Sequence, residues 1–278
     1  WRVGTALLHS ALVVERRDTL ESWTILLAII AFGMSLLGTF LVRSGLLTSV
    51  HTFATDPERG VFILGLFIVV IGGALVLYAI RAPMLKGGGL FAPVSREGAL
   101  VLNNLLLATA TAVVFLGTLY PLALDAIGSG KVSVGAPFFN ATFVPLMVPL
   151  LIACPIGAMM AWKRGDLPGV VARLKVAVGL AGLVVLATVM IDGNTDIVAA
   201  LAMGVAAWLV TGAAVDLAER TGLFRISFSE TLRRAANLPR SAWGTAIAHS
   251  ALGIMVAGIT ASSSWQTERI QIVRLGDT

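Results

Sequence analysis

SWTILLAIIAFGMSLLGTFLV runs from Ser22 to Val42 without a single charged side chain. Its helical length, at about 1.5 Å per residue, matches the roughly 30 Å of hydrocarbon in a bilayer. Glu21 and Arg43 bracket the run, which puts charge back where water begins. Apolar runs of the same kind recur at 61–80, 98–121, 143–162, 174–191, 196–217 and 244–262, with a shorter one at 3–14. Composition agrees. Of 278 residues, 57% are hydrophobic and 13% charged, with mean hydropathy +0.91; a soluble domain carries about a quarter charged residues. The expected fold is an all-α polytopic integral membrane protein of about eight transmembrane helices, occupying residues 1–262. The first run is too short to cross, so its missing part is expected upstream of Trp1. Without an initiating Met or a charged leader, the chain reads as a piece of a longer one. Cys154, the single cysteine, lies inside an apolar run, which excludes a disulfide framework or a cysteine metal site.

Loop charges predict the orientation. One set of connections holds Arg16 and Arg17; Arg81, Lys86 and Arg96; Lys163, Arg164, Arg173 and Lys175; and Arg220, Arg225, Arg233, Arg234 and Arg240. The other set, with both tails, holds only Arg2, Arg43, Arg59, Lys131, Arg269 and Arg274. The rich side is expected to face the cytoplasm. The net charge of +5 is then topological, partly met by anionic lipid headgroups, and calls for no nucleic-acid partner.

Two distant segments share a phrase: GTALLHSAL at Gly4–Leu12 and GTAIAHSAL at Gly244–Leu252. His9 lies six residues before Glu15, and His249 six residues after Trp243. Both are therefore expected about 9 Å inside the cytoplasmic boundary, on antiparallel helices. A histidine in a membrane span often does no more than hydrogen-bond to a carbonyl, and glycine and alanine often do no more than pack helices closely. Two imidazoles at matched depth, each among small residues that leave room for a flat macrocycle, fit a bis-histidine haem b. Zinc or copper would want further ligands, and neither Cys nor a third membrane histidine supplies them. His51 is the third histidine. Leu46, Leu47, Val50, Phe53 and Ala54 around it share one helical face, predicting a short amphipathic helix on the outer leaflet. Thr55 or Asp56 then caps the next span, with Pro57 in its first turn.

Three other segments carry structural readings. LDAIGSGKVSVGAPFFN, residues 124–140, with its glycines, Lys131 and the Phe138–Phe139 pair, reads as a structural outer loop, with partner docking as the alternative. FRISFSETLRR, residues 224–234, has a capping box from Ser227 to Glu230 and reads as an interfacial helix. From Ile270 the tail alternates apolar and polar residues as a strand does, so residues 263–278 are expected to open a small outer-side β-containing domain.

WRVGTALLHS (1–10), SLLGTFLVRSGLLTSVHTFATDPERGVFIL (35–64), LGTLYPL (116–122), GKVSVGAPFFNATFVPL (130–146) and GTAIAHSALGIM (244–255) together resemble the CcmF family. These are membrane haem lyases of the multi-component cytochrome c maturation system, within a wider haem-handling superfamily, and the resemblance covers essentially the whole chain. It implies that His9 and His249 ligate a resident haem b. It implies that His51 is one of two outer-face ligands for haem delivered by the haem chaperone CcmE, and so a residue of the reaction itself. The first outer-face ligand and the tryptophan-rich haem platform would belong upstream of Trp1. The implied reaction joins haem by thioether bonds to the two thiols of a CXXCH segment in apocytochrome c, with thiol-handling subunits of the CcmH and CcmI type as partners. Quinol is the implied electron source for the resident haem.

Two rivals remain. A haem or small-molecule transporter would use the histidines as relay or gate. A non-catalytic assembly scaffold would hold haem without chemistry. A low-spin b-type optical spectrum would favour the cofactor reading over the transporter.

Overall fold

A computed structural model describes residues 1–46, 55–85, 90–128, 130, 132–192 and 196–267. All the regular structure among these residues is helical. Six helices are long and apolar enough to cross a membrane, and a bent pair makes a seventh if taken as one span. The protein is thus a multi-pass membrane protein, and each apolar run read from the sequence forms a helix. The chain divides into two units: Trp1–Leu150 with Ala161–Gly165, and Leu151–Met160 with Asp166 onward.

The first unit holds α1 (Arg2–Arg17), α2 (Glu21–Ser44), α3 (Pro57–Arg81, extended by a 3₁₀ turn to Met84), α4 (Arg96–Ala126) and the first part of α5 (Ala136–Met159). Local chemistry sets several ends. Of the two candidate caps, Asp56 is the one at the start of α3: its carboxylate accepts from Arg59 N at 3.2 Å, and Pro57 follows in the first turn. Ser95 caps α4, accepting from Gly98 N at 3.1 Å. α2 and α3 form a hairpin tied by Asp56 N donating to the Arg43 carbonyl at 2.9 Å and by a Ser22–Tyr78 hydroxyl contact at 2.8 Å. Between them, Gly60 lies so close to Ser44 that an added Cβ would sit 3.1 Å from Ser44 Cα. On α3, Val61, Phe62, Ile68, Val69 and Val76 are exposed, as a lipid-facing surface requires.

The fifth helix starts seven residues earlier than the sequence predicts, at 136 rather than 143. Packing explains the shift. Phe138 and Phe139 stack edge-to-face at 5.3 Å and lie against Gly117 of α4, so the helix begins before the pair. Its other end stops at Met159, because residues 161–165 bond instead to the start of α4.

The second unit holds the end of α5, then α6 (Leu167–Arg173), α7 (Lys175–Asp192), α8 (Ile197–Thr221), α9 (Phe228–Ala236) and α10 (Arg240–Ser264). The sixth and seventh helices meet at a 55° bend. The buried face of α8 runs through Ala199, Ala200, Ala206, Leu209 and Ala213, with Gly204 and Gly212 between them. Small residues of this kind let backbones approach in a lipid environment, where hydrophobicity alone drives no helix pairing. Gly253 of α10 packs tightly on it: an added Cβ there would lie 2.8 Å from the Ala206 carbonyl oxygen. Ser227 caps α9, its Oγ accepting from Glu230 N at 3.4 Å, and the Glu230 carboxylate pairs with Arg233 and Arg234. Phe228 and Leu232 stay exposed on that helix, beside Arg233 and Arg234. Their guanidiniums hold the Glu230 carboxyl below its ordinary range. The last helix runs to Ser264, two residues past the expected boundary at 262. The amphipathic helix around His51 and the strand from Ile270 lie outside the described residues.

Candidate functional site

The first and fourth helices run antiparallel and meet along a ladder of polar pairs. At one end Arg17 Nε donates to Glu97 Oε1 at 2.8 Å. The Glu97 side chain is 0% exposed, and its two oxygens also accept from Lys163 N at 3.0 and 2.9 Å. Seven residues along each helix, about 10 Å by helical rise, Asn104 Nδ2 donates to Ser10 Oγ at 3.1 Å. Both residues are buried. Beside this rung Asn103 Nδ2 donates to His9 Nδ1 at 2.7 Å and to Asn104 Oδ1 at 3.4 Å. His9 is half-buried on the same face of α1 as Ala6, Ser10 and Val13, which are buried. A donor aimed at Nδ1 of a neutral imidazole leaves the ring proton on Nε2.

In the second unit, His249 of α10 lines a cleft with Thr245 and Ala246 of its own helix, Leu209, Gly212, Ala213 and Asp216 of α8, and Pro155 and Ala158. The Asp216 side chain is only 11% exposed and accepts from Arg220 Nε at 2.8 Å, one turn along the same helix. Burying a carboxylate at this depth is tolerable only with such a partner.

The repeated phrase is repeated in structure as well. Thr5 Oγ1 donates to the Trp1 carbonyl at 3.1 Å, and Thr245 Oγ1 donates to the Ser241 carbonyl at 2.9 Å. Ala6 and Ala246 are both buried, while His9 and His249 are both half-buried. A Cβ added at Gly4 or Gly244 would meet no atom within 4 Å. Each histidine therefore has a packed alanine three residues before it and an open glycine five residues before it. The two copies part at the neighbouring helix: His9 meets an amide, whereas His249 shares its cleft with a carboxylate.

Of the site residues read from the sequence, His9 and His249 are described, one in each unit, and His51 lies outside the described residues. No group of three or more His, Cys, Asp or Glu able to hold a metal ion occurs among the described residues. Sequence reasoning missed Asn103, Asn104, Glu97 and Asp216. A signal existed for each: an Asn pair inside VLNNLLL, and an acid inside or at the start of an apolar run. Polar groups are costly in such runs, so each asks for a partner.

The chain resembles known proteins along its entire length. It is 58% identical over 278 residues to the cytochrome c-type biogenesis protein CycK of Bradyrhizobium diazoefficiens, covering 42% of that protein. It is 44% identical over 278 residues to the cytochrome c-type biogenesis protein CcmF of Pseudomonas aeruginosa, again covering 42%. Against CcmF of Escherichia coli the identity is 39% over 280 residues, with 41% covered. The chain thus spans about two fifths of the length of these relatives. No family model matches it, and no solved structure does.

Proposed function

We propose, on the premise that this chain is homologous from end to end to part of the CcmF/CycK-type cytochrome c biogenesis proteins, that it works in cytochrome c maturation as the haem-holding part of a membrane haem lyase. Identity over the whole chain supports the biogenesis role. The observation that carries the haem reading is the doubled motif: the same buried alanine, back-bonded threonine and open glycine accompany a half-buried histidine in both α1 and α10. That donor set fits haem b. Two neutral imidazoles are the usual protein ligands of such a haem.

His9 and His249 would hold the resident haem, which when six-coordinate supplies electron transfer rather than O₂ binding. The chain's own residues do the rest. Asn103 orients the His9 ring, the Arg17–Glu97 pair sets the register of α1 on α4, and Arg220 keeps Asp216 paired beside His249. On the outer face His51 would ligate the haem that arrives as substrate from CcmE. That haem is then joined to the CXXCH thiols of an apocytochrome c presented by CcmH- and CcmI-type subunits, with quinol as reductant. Both buried acids described here are locked to arginines, which suits a static scaffold better than a transporter's proton relay.

An optical spectrum of the purified protein tests the reading. Low-spin b-type bands are expected, weakened alike by His9→Ala and His249→Ala. A colourless protein refutes haem binding. A His249→Ala variant with full bands, where His9→Ala has none, refutes paired ligation.

A further inference from the structure

We infer that Asn103 is the positioning residue of His9, and that the chain His9–Asn103–Asn104–Ser10 reverses its hydrogen-bond polarity as one unit when the imidazole changes from resting side chain to ligand. The inference rests on the reading of His9 as an iron ligand and deepens it.

Asn103 Nδ2 donates to His9 Nδ1 at 2.7 Å, and the same amide nitrogen donates to Asn104 Oδ1 at 3.4 Å. Asn104 Nδ2 then donates to Ser10 Oγ at 3.1 Å. Donation therefore runs in two directions from Asn103, to the histidine and, through Asn104, to the serine. The far end is anchored: Ser10 and Asn104 are 0% and 1% exposed, so neither has water as a substitute partner. The orientation of Asn103 is thereby dictated by a neighbour as well as by the histidine.

In this polarity Nδ1 is an acceptor and Nε2 carries the proton, so Nε2 has no lone pair for iron. A ligating histidine instead donates its other ring N–H to an acceptor, which sets the ring's orientation and raises its basicity. Every member of the chain can act in the opposite sense. Reversing the Asn103 amide presents Oδ1 to a protonated Nδ1. Reversing Asn104 lets its Nδ2 donate to Asn103 Oδ1, and Ser10 Oγ–H then donates to Asn104 Oδ1. One proton moves from Nε2 to Nδ1, no charge is created, and each of the three contacts has a counterpart of opposite sense. A buried amide lacking this freedom would leave a polar group unpaired in one of the two states.

Substitutions at Asn103 separate orientation from bulk. Asn103→Leu keeps the volume and removes both roles; Asn103→Asp keeps the shape and only accepts. In haem-free protein labelled with ¹⁵N-histidine, the signal lost in His9→Ala belongs to His9. It is expected to report Nε2–H in the parent, a tautomer mixture in Asn103→Leu and Nδ1–H in Asn103→Asp. In the haem-loaded protein, Asn103→Leu is expected to weaken haem retention about 10–100-fold, and Asn103→Asp to restore it. The Asp variant also favours ferric over ferrous iron at least tenfold, a fall of about 59 mV for one electron. A His9 signal showing Nδ1–H in the haem-free parent overturns the inference. So does an Asn103→Leu variant with parental haem retention and potential while His9→Ala loses its bands. If His9→Ala keeps the bands, the ligand reading fails instead, and the haem-free spectra still decide the polarity of the chain.

Discussion

Removing the Glu97 carboxylate should loosen α1 from the protein. Glu97 is fully buried and accepts three hydrogen bonds, from Arg17 Nε at 2.8 Å and twice from Lys163 N at 3.0 and 2.9 Å. Breaking a buried ion pair by removing one partner costs about 3–5 kcal/mol, because the other charge stays behind. Arg17 is 20% exposed, so its guanidinium finds some water and the pair's share falls to the lower end. The exposed Lys163 loses the acceptor of its N–H as well, which adds about 1 kcal/mol. Glu97→Ala is therefore expected to cost about 4 kcal/mol, and Glu97→Gln, which keeps an acceptor oxygen, roughly half of that. Unfolding of the purified protein in bicelles, followed by tryptophan fluorescence, measures both. Arg17→Met and the double variant complete a cycle, with an expected coupling of at least about 1 kcal/mol. An additive cycle, or a Glu97→Ala variant within about 0.5 kcal/mol of the parent, would refute the pairing. The loss is expected to reach His9, since the same two helices carry the Asn103 contact.

Gly253→Ala places a Cβ 2.8 Å from the Ala206 carbonyl, inside the 3.4 Å where ordinary contact begins; thermal unfolding should show about 1–3 kcal/mol of destabilisation. Gly117→Ala should destabilise less, because its Cβ meets Phe138 and Phe139 rings that can turn. Cysteines introduced at Ser129 and Gln271 should label from the outer face, and labelling from the cytoplasmic side alone would reverse the orientation argued from loop charge. His51→Ala should keep the b-type spectrum while abolishing cytochrome c maturation, with haem accumulating on the chaperone. Bleaching of the resident haem would contradict an outer position for His51.

Some of this protein was legible residue by residue. Runs such as Ser22–Val42 specify helices because backbone groups in lipid must bond within their own segment. The caps at Asp56 and Ser227 were equally local, since a side-chain oxygen reaches only the amides two or three residues on. The His9–His249 correspondence was visible as a repeated phrase, and it survives as a repeated environment. What the sequence left open was which faces meet. These helices are apolar nearly all round, so no stripe marks an inward side as it does on a soluble helix. The partner of His9 stands 94 residues away, and Glu97 reaches the backbone of Lys163 66 residues on. Even the start of α5 was decided at a distance, by Phe138 and Phe139 finding the gap at Gly117. Hydropathy measures the transfer of a side chain out of water, and that gain is nearly the same against lipid or against another helix. Only tertiary packing, through small residues and paired polar groups, distinguishes the two.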